Sequence, residues 1–467
     1  MKQDKKRRAA EYLVPIAGTI FCIAYVLAAT NDVVYSDYIR LVNSYLPDVW
    51  NPEKFFVADI LTRIPANFLE RIINVAFFGY STTFDMVLGV LCRGGAAVIL
   101  TAYCRERKVG WGWYLLLMAV LFSLSQWEML TNGTGWCHFL AFAGFYLHYR
   151  ILDQVFAGRR AGIRETKAQR IGLMVLPWVI TLGTAGPYCV SYTGVLLLTY
   201  GIGYFLERKQ KKRDRASYLV WGLHALLPFC LYLVSNSFAV EDHAGATGRA
   251  IGEVLQDNWI FFPKFLIKSL ASMAVGEEVM MDLLTRLNTG MALCYLAGIF
   301  IAGAYLLALW MQVRERLYER SVLPLMLIFA GGLNHLLVLG ARWIFENSDY
   351  GMSSRYALQY QAGILGIILT FALFFQRRRR AGAVKWAAVL ISLVILAGNG
   401  YTTYKELKKA PYRKEYGCRV EEAALGYEEI SDEELEALFQ YHHGPEKIRQ
   451  ALRILEEQKW NVYGGKE

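Results

Sequence analysis

The feature that most constrains this chain is a series of long apolar blocks with the charge packed between them. The clearest lie at about 10–30, 84–103, 111–126, 135–152, 171–187, 190–206, 217–236, 289–311, 322–341, 357–376 and 384–402. Most approach the roughly 17–25 residues needed to cross a bilayer as a helix. The pattern predicts an all-α, polytopic membrane protein of about eleven transmembrane helices. Composition agrees: 55% of the residues are hydrophobic and 19% are charged, where a soluble chain averages about 25% charge. Block 111–126 is short, and 171–206 also reads as one broken region. The stretch 258–275 contains Pro263, Lys264 and Lys268, which favour a helix lying in the interface over a further span.

Basic clusters fix the expected orientation. They occur at the N-terminus, at 104–108, 158–170, 207–215 and 314–320, and at 377–380. They alternate with loops poor in Lys and Arg, and all fall on one side if 258–275 does not cross. The positive-inside rule then puts the N-terminus in the cytoplasm and the tail from about 403 outside, in a bacterial-type plasma membrane. The net charge of +10 reads as loops facing anionic lipid, not as a nucleic-acid surface. The first block lacks a small-residue cleavage site and is expected to remain as a span.

Several chemistries find no support. The eight cysteines are scattered without a CxxC pair, and the only adjacent histidines are His442 and His443, which a helix would point apart. Neither GxxxxGK[ST] nor GxGxxG occurs, so no nucleotide-driven activity is implied. Acidic loop residues leave room for a divalent ion, but no ligand set is legible, and no cofactor is assigned.

The polar residues of interest collect on the expected outer side. The chain leaves its first block through "ATNDVVYSDYIR", presenting Asp32 and Asp37 among Tyr35 and Tyr38. This opens the first outer loop, 31–83. There Asn51 and Pro52 suit a helix start with Phe55, Phe56, Ile60 and Leu61 on one face, and 66–78 suits a second surface helix. "SQWEMLTNGTGW" sets Trp127 and Glu128 at a membrane border. "RWIFENSDYGMSSRYALQYQ" supplies Arg342, Arg355 and Tyr356 where the chain re-enters. Arg93 lies within a span, where a charge is normally paired. Asp85, about two turns earlier, is its nearest candidate partner.

This combination resembles the GT-C class of membrane glycosyltransferases. The resemblance rests on a cytoplasmic N-terminus, a first outer loop that opens on an acid and carries surface helices, and some eleven spans. "SSRYALQY" is similar to Arg-Tyr stretches that open a late span in bacterial members of the class. An adjacent acidic pair, typical of the class, is replaced here by Asn31-Asp32 with Asp37 five residues on. The resemblance implies an enzyme that moves a sugar from a polyprenyl-phosphate carrier to an envelope glycan or lipid acceptor at the outer face. Asp32 would be the base with Asp37 in reserve. Arg355 and Arg342 would meet the donor phosphate, Glu128 would orient the acceptor or a sugar hydroxyl, and Tyr35, Trp127 and Tyr356 would stack on sugar or carrier.

Each residue also has a plainer reading. Asp32 suits the cap of a helix where the chain meets water, Arg355 suits an interfacial anchor, and the aromatics suit the belt found at both membrane surfaces. A transporter or flippase of a lipid-linked or anionic substrate, or a non-catalytic assembly subunit, fits the same topology. The tail, 403–467, reads as a separate small helical unit beyond a transmembrane domain of 1–402. Ser431 and Glu434 make a capping box, and Ile448, Leu452 and Leu455 share a helical face. Its expected place is over the site or against the acceptor, and an inert solvated tail fits the sequence equally well.

Overall fold

The computed structural model describes residues 2–57, 64–209, 215–238, 246–378 and 382–464. Its helices in chain order are α1 (Lys2–Ala29), α2 (Tyr38–Tyr45), α3 (Pro65–Phe78), α4 (Thr82–Glu106), α5 (Trp111–Leu121), α6 (Trp127–Thr131) and α7 (Trp136–Arg160). There follow α8 (Lys167–Gly183), α9 (Cys189–Lys209), α10 (Ala216–Asn236), α11 (Ile251–Asp257), α12 (Phe261–Ala274), α13 (Glu277–Arg286) and α14 (Gly290–Arg314). The last are α15 (Leu323–Arg342), α16 (Ala357–Arg377), α17 (Gly382–Leu425), α18 (Asp432–Phe439) and α19 (Pro445–Gln458). Among the described residues, nine helical segments are long and apolar enough to cross a membrane. This is a multi-pass helical membrane protein. α12 has 14 residues, about 21 Å of helix, which is short of the roughly 30 Å hydrocarbon core. It packs instead against α14 and the turn Ser348–Met352, with buried Lys268 paired to Asp349.

Two cores organise the chain. The larger fills the bundle, with α16 buried along most of its length. The smaller joins the start of the first loop to the C-terminal tail. Val34, Ile39, Val42 and Tyr45 pack with Phe439, Ile448, Leu452 and Leu455, all fully buried. Hydrogen bonds sew the two segments together: Ser36 N donates to Phe439 O (2.7 Å), and Asn461 N to Gly79 O (2.8 Å). Ser431 caps α18 by accepting from Glu434 N. The tail therefore shares its core with the first loop, which supplies the apolar surface that so short a segment lacks.

The expected boundary at 402/403 falls inside a continuous helix. α17 has 44 residues and is about 66 Å long, so its C-terminal half outruns any bilayer core and becomes a post for the tail. Gly398 lets α12 approach closely, since a Cβ there would lie 1.8 Å from Ala274 O. In the first loop, Asn51 caps a short 3₁₀ turn, Pro52–Phe56, by accepting from Glu53 N. Ile60 and Leu61 of that expected helix lie outside the described residues. α3 turns Leu69, Ile73 and Phe77 outward while burying Asn67, Glu70, Arg71 and Asn74, the arrangement of a helix whose apolar face meets lipid.

The pairing expected between Arg93 and Asp85 is not formed. Arg93 donates instead to the carbonyls of Leu121 and Ser123, which the break after α5 leaves free. Asp85 pairs with Arg71 and accepts from Tyr38 Oη (2.8 Å) and Asn74 Nδ2 (2.7 Å). This buried network bolts α2, α3 and α4 together. Gly133 lets the turn after α6 close over it, because a Cβ there would overlap Tyr38 Oη.

Candidate functional site

The site lies at the end of the bundle where α1 stops, beside the tail. Asp32 immediately follows α1, but its carboxylate is committed to the start of α4. It accepts from Thr82 N (2.6 Å), Thr83 N (3.2 Å), Ser81 Oγ (2.7 Å) and Thr82 Oγ1 (2.8 Å), with Asn461 Nδ2 at 3.4 Å. A helix N-terminus carries free N–H groups and a partial positive charge, so an anion there is a cap. Of its two sequence readings, the geometry favours the cap. The expected base is thereby held away from the cavity described below, to whose lining Asp32 does not contribute.

Asp37, Glu128 and Arg355 do meet. α6 is a single turn between two breaks, and it sets Glu128 opposite the 3₁₀ turn Ser354–Tyr356 that opens α16. Arg355 Nε donates to Glu128 Oε1, and Ser354 Oγ donates to Glu128 Oε2 (3.0 Å). On its other side, Arg355 Nη1 reaches Asp37 Oδ2 at 3.4 Å. One guanidinium thus bridges two carboxylates from segments far apart in sequence. Among the described residues the second carboxylate oxygen of Asp37 takes no hydrogen bond and the side chain is 30% exposed, although Asp37, next to the lining residue Ser36, does not itself line the cavity described below.

Beside this cluster is a cavity of about 560 Å³. Its walls are largely apolar and aromatic, including Val33, Tyr35, Trp127, Tyr412 and Tyr416, and Glu128 and Arg355 stand in the lining. Burial pushes the Tyr35 hydroxyl up to about 12, with the Glu128 charge adding to the effect, so it is a hydrogen-bond donor at neutral pH. Glu277 accepts from Ser354 N (2.6 Å). Burial raises its carboxyl above the usual range, and the like charges of Glu128 and Glu278 add to this against the Ser354 N–H.

Arg342 and Tyr356 form a pair of their own. Arg342 Nε donates to Tyr356 Oη (2.6 Å), and neither residue lines the cavity. Sequence reading missed a second charged wall. α17 contributes Lys409 and Arg413, and α13 contributes Glu278, which pairs with both. Arg413 also lies 3.2 Å over the Trp127 ring and binds Glu406 (2.8 Å). The four-residue spacing of Lys405, Lys409 and Arg413, on one helical face, was the available signal. Among the described residues, no group of three or more His, Cys, Asp or Glu stands close enough to hold a metal ion. The arrangement offers an amphipathic chamber, a partly free carboxylate and three cations. The chain matches no family model, no curated protein and no solved structure.

Proposed function

We propose that the protein is an integral membrane glycosyltransferase that takes a sugar from a polyprenyl-phosphate carrier and gives it to an envelope glycan or lipid acceptor. The observation that carries this reading is Arg355 held between Asp37 and Glu128 at the edge of an amphipathic cavity. α4, α7, α14 and α16 end on basic last turns, with Arg105, Arg159, Arg314 and Arg377, and α4 and α16 begin on the side of the cavity. By the positive-inside rule those ends face the cytoplasm. The cavity and tail then face outward, in a bacterial-type plasma membrane, with α7 and α8 completing eleven spans.

In this reading the acceptor hydroxyl attacks the anomeric carbon while the bond from that carbon to the phosphate oxygen breaks. The hydroxyl proton passes to the free oxygen of Asp37, and lipid phosphate leaves with the bonding electrons. General-base assistance of this kind contributes roughly 10²–10⁴-fold. Arg355 steadies the charge that develops on phosphate, Glu128 fixes the Arg355 fork, and Trp127 and Tyr35 offer faces and a hydroxyl to the sugar. Asp32 acts through position only, by fixing the start of α4 relative to the Asp37 segment.

The experiment compares surface glycans and polyprenyl-linked sugars by mass spectrometry in cells lacking the protein and in cells expressing wild type or Asp37→Asn at equal level. Loss of a surface sugar with accumulation of its lipid-linked donor, in both the null and the variant, is the expected result. Full rescue by Asp37→Asn would remove the base and favour transport or assembly.

A further inference from the structure

The mechanism above leaves unused the cationic wall formed by α17. Lys409 and Arg413 both line the cavity, and both are neutralised from the α13 side by one carboxylate, Glu278. Glu278 bridges the ammonium and the guanidinium (Arg413 Nη2 to Glu278 Oε1, 3.3 Å), as an external oxyanion would. Among the described residues Arg413 Nε is buried without a hydrogen-bond partner. One neighbour in the lining among the described residues, Trp127, is left in the same state at its indole N–H. Unmet buried donors beside a cavity are costly, and a small shift of these side chains toward a ligand would satisfy them.

We propose that Lys409 and Arg413 form the subsite for the phosphate of a lipid-borne ligand, and that Glu278 is its displaceable counter-ion. The proposal rests on the transferase reading and adds where the donor's head group lies. The chemistry recognised is a phosphate ester. Arg413 offers a planar fork suited to phosphate oxygens, and Lys409 offers a point charge. In this reading the height suits a lipid head group, because Lys409 lies seven residues, about 10 Å, beyond residue 402, where the apolar stretch of α17 ends. Tyr412, 73% exposed and part of the lining, leaves an apolar side open to a lipid chain. Glu278 belongs to a partly exposed side chain with three rotatable bonds. It can swing away when a phosphate oxyanion takes its place, while Glu406 continues to hold Arg413.

This predicts opposite responses within one site. Binding of a long-chain polyprenyl monophosphate is measured with the full-length protein in nanodiscs of zwitterionic lipid, alongside the corresponding polyprenol and inorganic phosphate. Glu278→Gln should tighten the lipid phosphate about three- to tenfold, whereas Lys409→Gln and Arg413→Gln should weaken it about tenfold or more. The polyprenol should respond to none of the three changes, and inorganic phosphate should compete poorly. A misfolded protein cannot bind more tightly, so the Glu278 variant guards against an artefact of folding. Unchanged or weaker binding by Glu278→Gln would overturn the counter-ion role. A polyprenol that responds alike would overturn the phosphate subsite, and inorganic phosphate binding as tightly as the lipid would overturn the lipid source. Altered glycans in the null strain without these binding responses would defeat this inference and leave the transferase standing. The binding responses without any glycan change would do the reverse.

Discussion

Replacing Asp32 separates a cap from a catalyst. Its carboxylate serves two backbone N–H groups and two hydroxyls at the start of α4. Loss of a helix cap costs about 0.5–2 kcal/mol, and loss of an anion at a helix N-terminus costs about 0.3–1 kcal/mol. Asp32→Ala should therefore destabilise the junction of first loop and tail by about 1–3 kcal/mol. Asp32→Asn keeps one acceptor oxygen for Thr82 and Thr83, gives up the charge and turns the other oxygen into a donor toward which the Ser81 hydroxyl must reorient as acceptor, so about 0.3–1 kcal/mol is expected for the lost charge. The assay is thermal unfolding in detergent, paired with sugar product per folded molecule in cells. Asp32→Ala should melt several degrees lower, Asp32→Asn only slightly lower, and both should retain most of their turnover per folded molecule. The reasoning fails if Asp32→Asn melts like wild type yet loses turnover by about 100-fold or more, the signature of a lost general base.

Other predictions follow from the same geometry. Glu128→Gln keeps a side chain of the same size but withdraws the charge that holds the Arg355 fork, so donor use should fall about tenfold or more with little change in melting. A companion Asp37→Glu should preserve part of the turnover that Asp37→Asn loses. Asp85→Asn removes one of the two buried carboxylates paired with Arg71 and leaves Glu70, so it should cost about 1–3 kcal/mol, read as a lower yield and a lower melting temperature. The Glu277 carboxyl is raised in the folded protein, so its contribution favours folding at low pH and is lost as pH rises through the folded value. Glu277→Gln, which keeps the acceptor for Ser354 N, should therefore be more stable than wild type at pH 8. That advantage should shrink on acidification towards pH 4, and an advantage growing towards acid would contradict the burial argument.

The bundle was legible because length and apolarity alone report a span. The lysines of α12 marked it as unlike a plain span, and it is short, at 14 residues, with Lys268 paired to Asp349. Tertiary pairing was not legible. Asp32 sits in the right loop for a base, but only the fold reveals that Ser81, Thr82 and Thr83 come round to claim it. Arg93 and Asp85 lie in one helix at a suggestive spacing. A broken helix elsewhere supplies bare carbonyls to Arg93, while Arg71 takes Asp85. The meeting of Arg355 with Glu128 and Asp37 spans most of the chain, and no local pattern encodes it. α17 was divided at residue 402 because hydropathy ends there. The helix itself continues through polar sequence, since its exposed turns need no apolar face while Val420, Ala423 and Ala424 enter the core shared with the first loop.

The most direct test of the central claim is a single-turnover measurement on the purified protein in nanodiscs, using a polyprenyl-phosphate sugar labelled in the sugar and a cell-envelope extract as acceptor. The account predicts transfer of label to the acceptor with stoichiometric release of polyprenyl phosphate, and loss of both on changing Asp37 to Asn. Binding of the labelled donor without transfer under any acceptor, and indifference to Asp37→Asn, would contradict it.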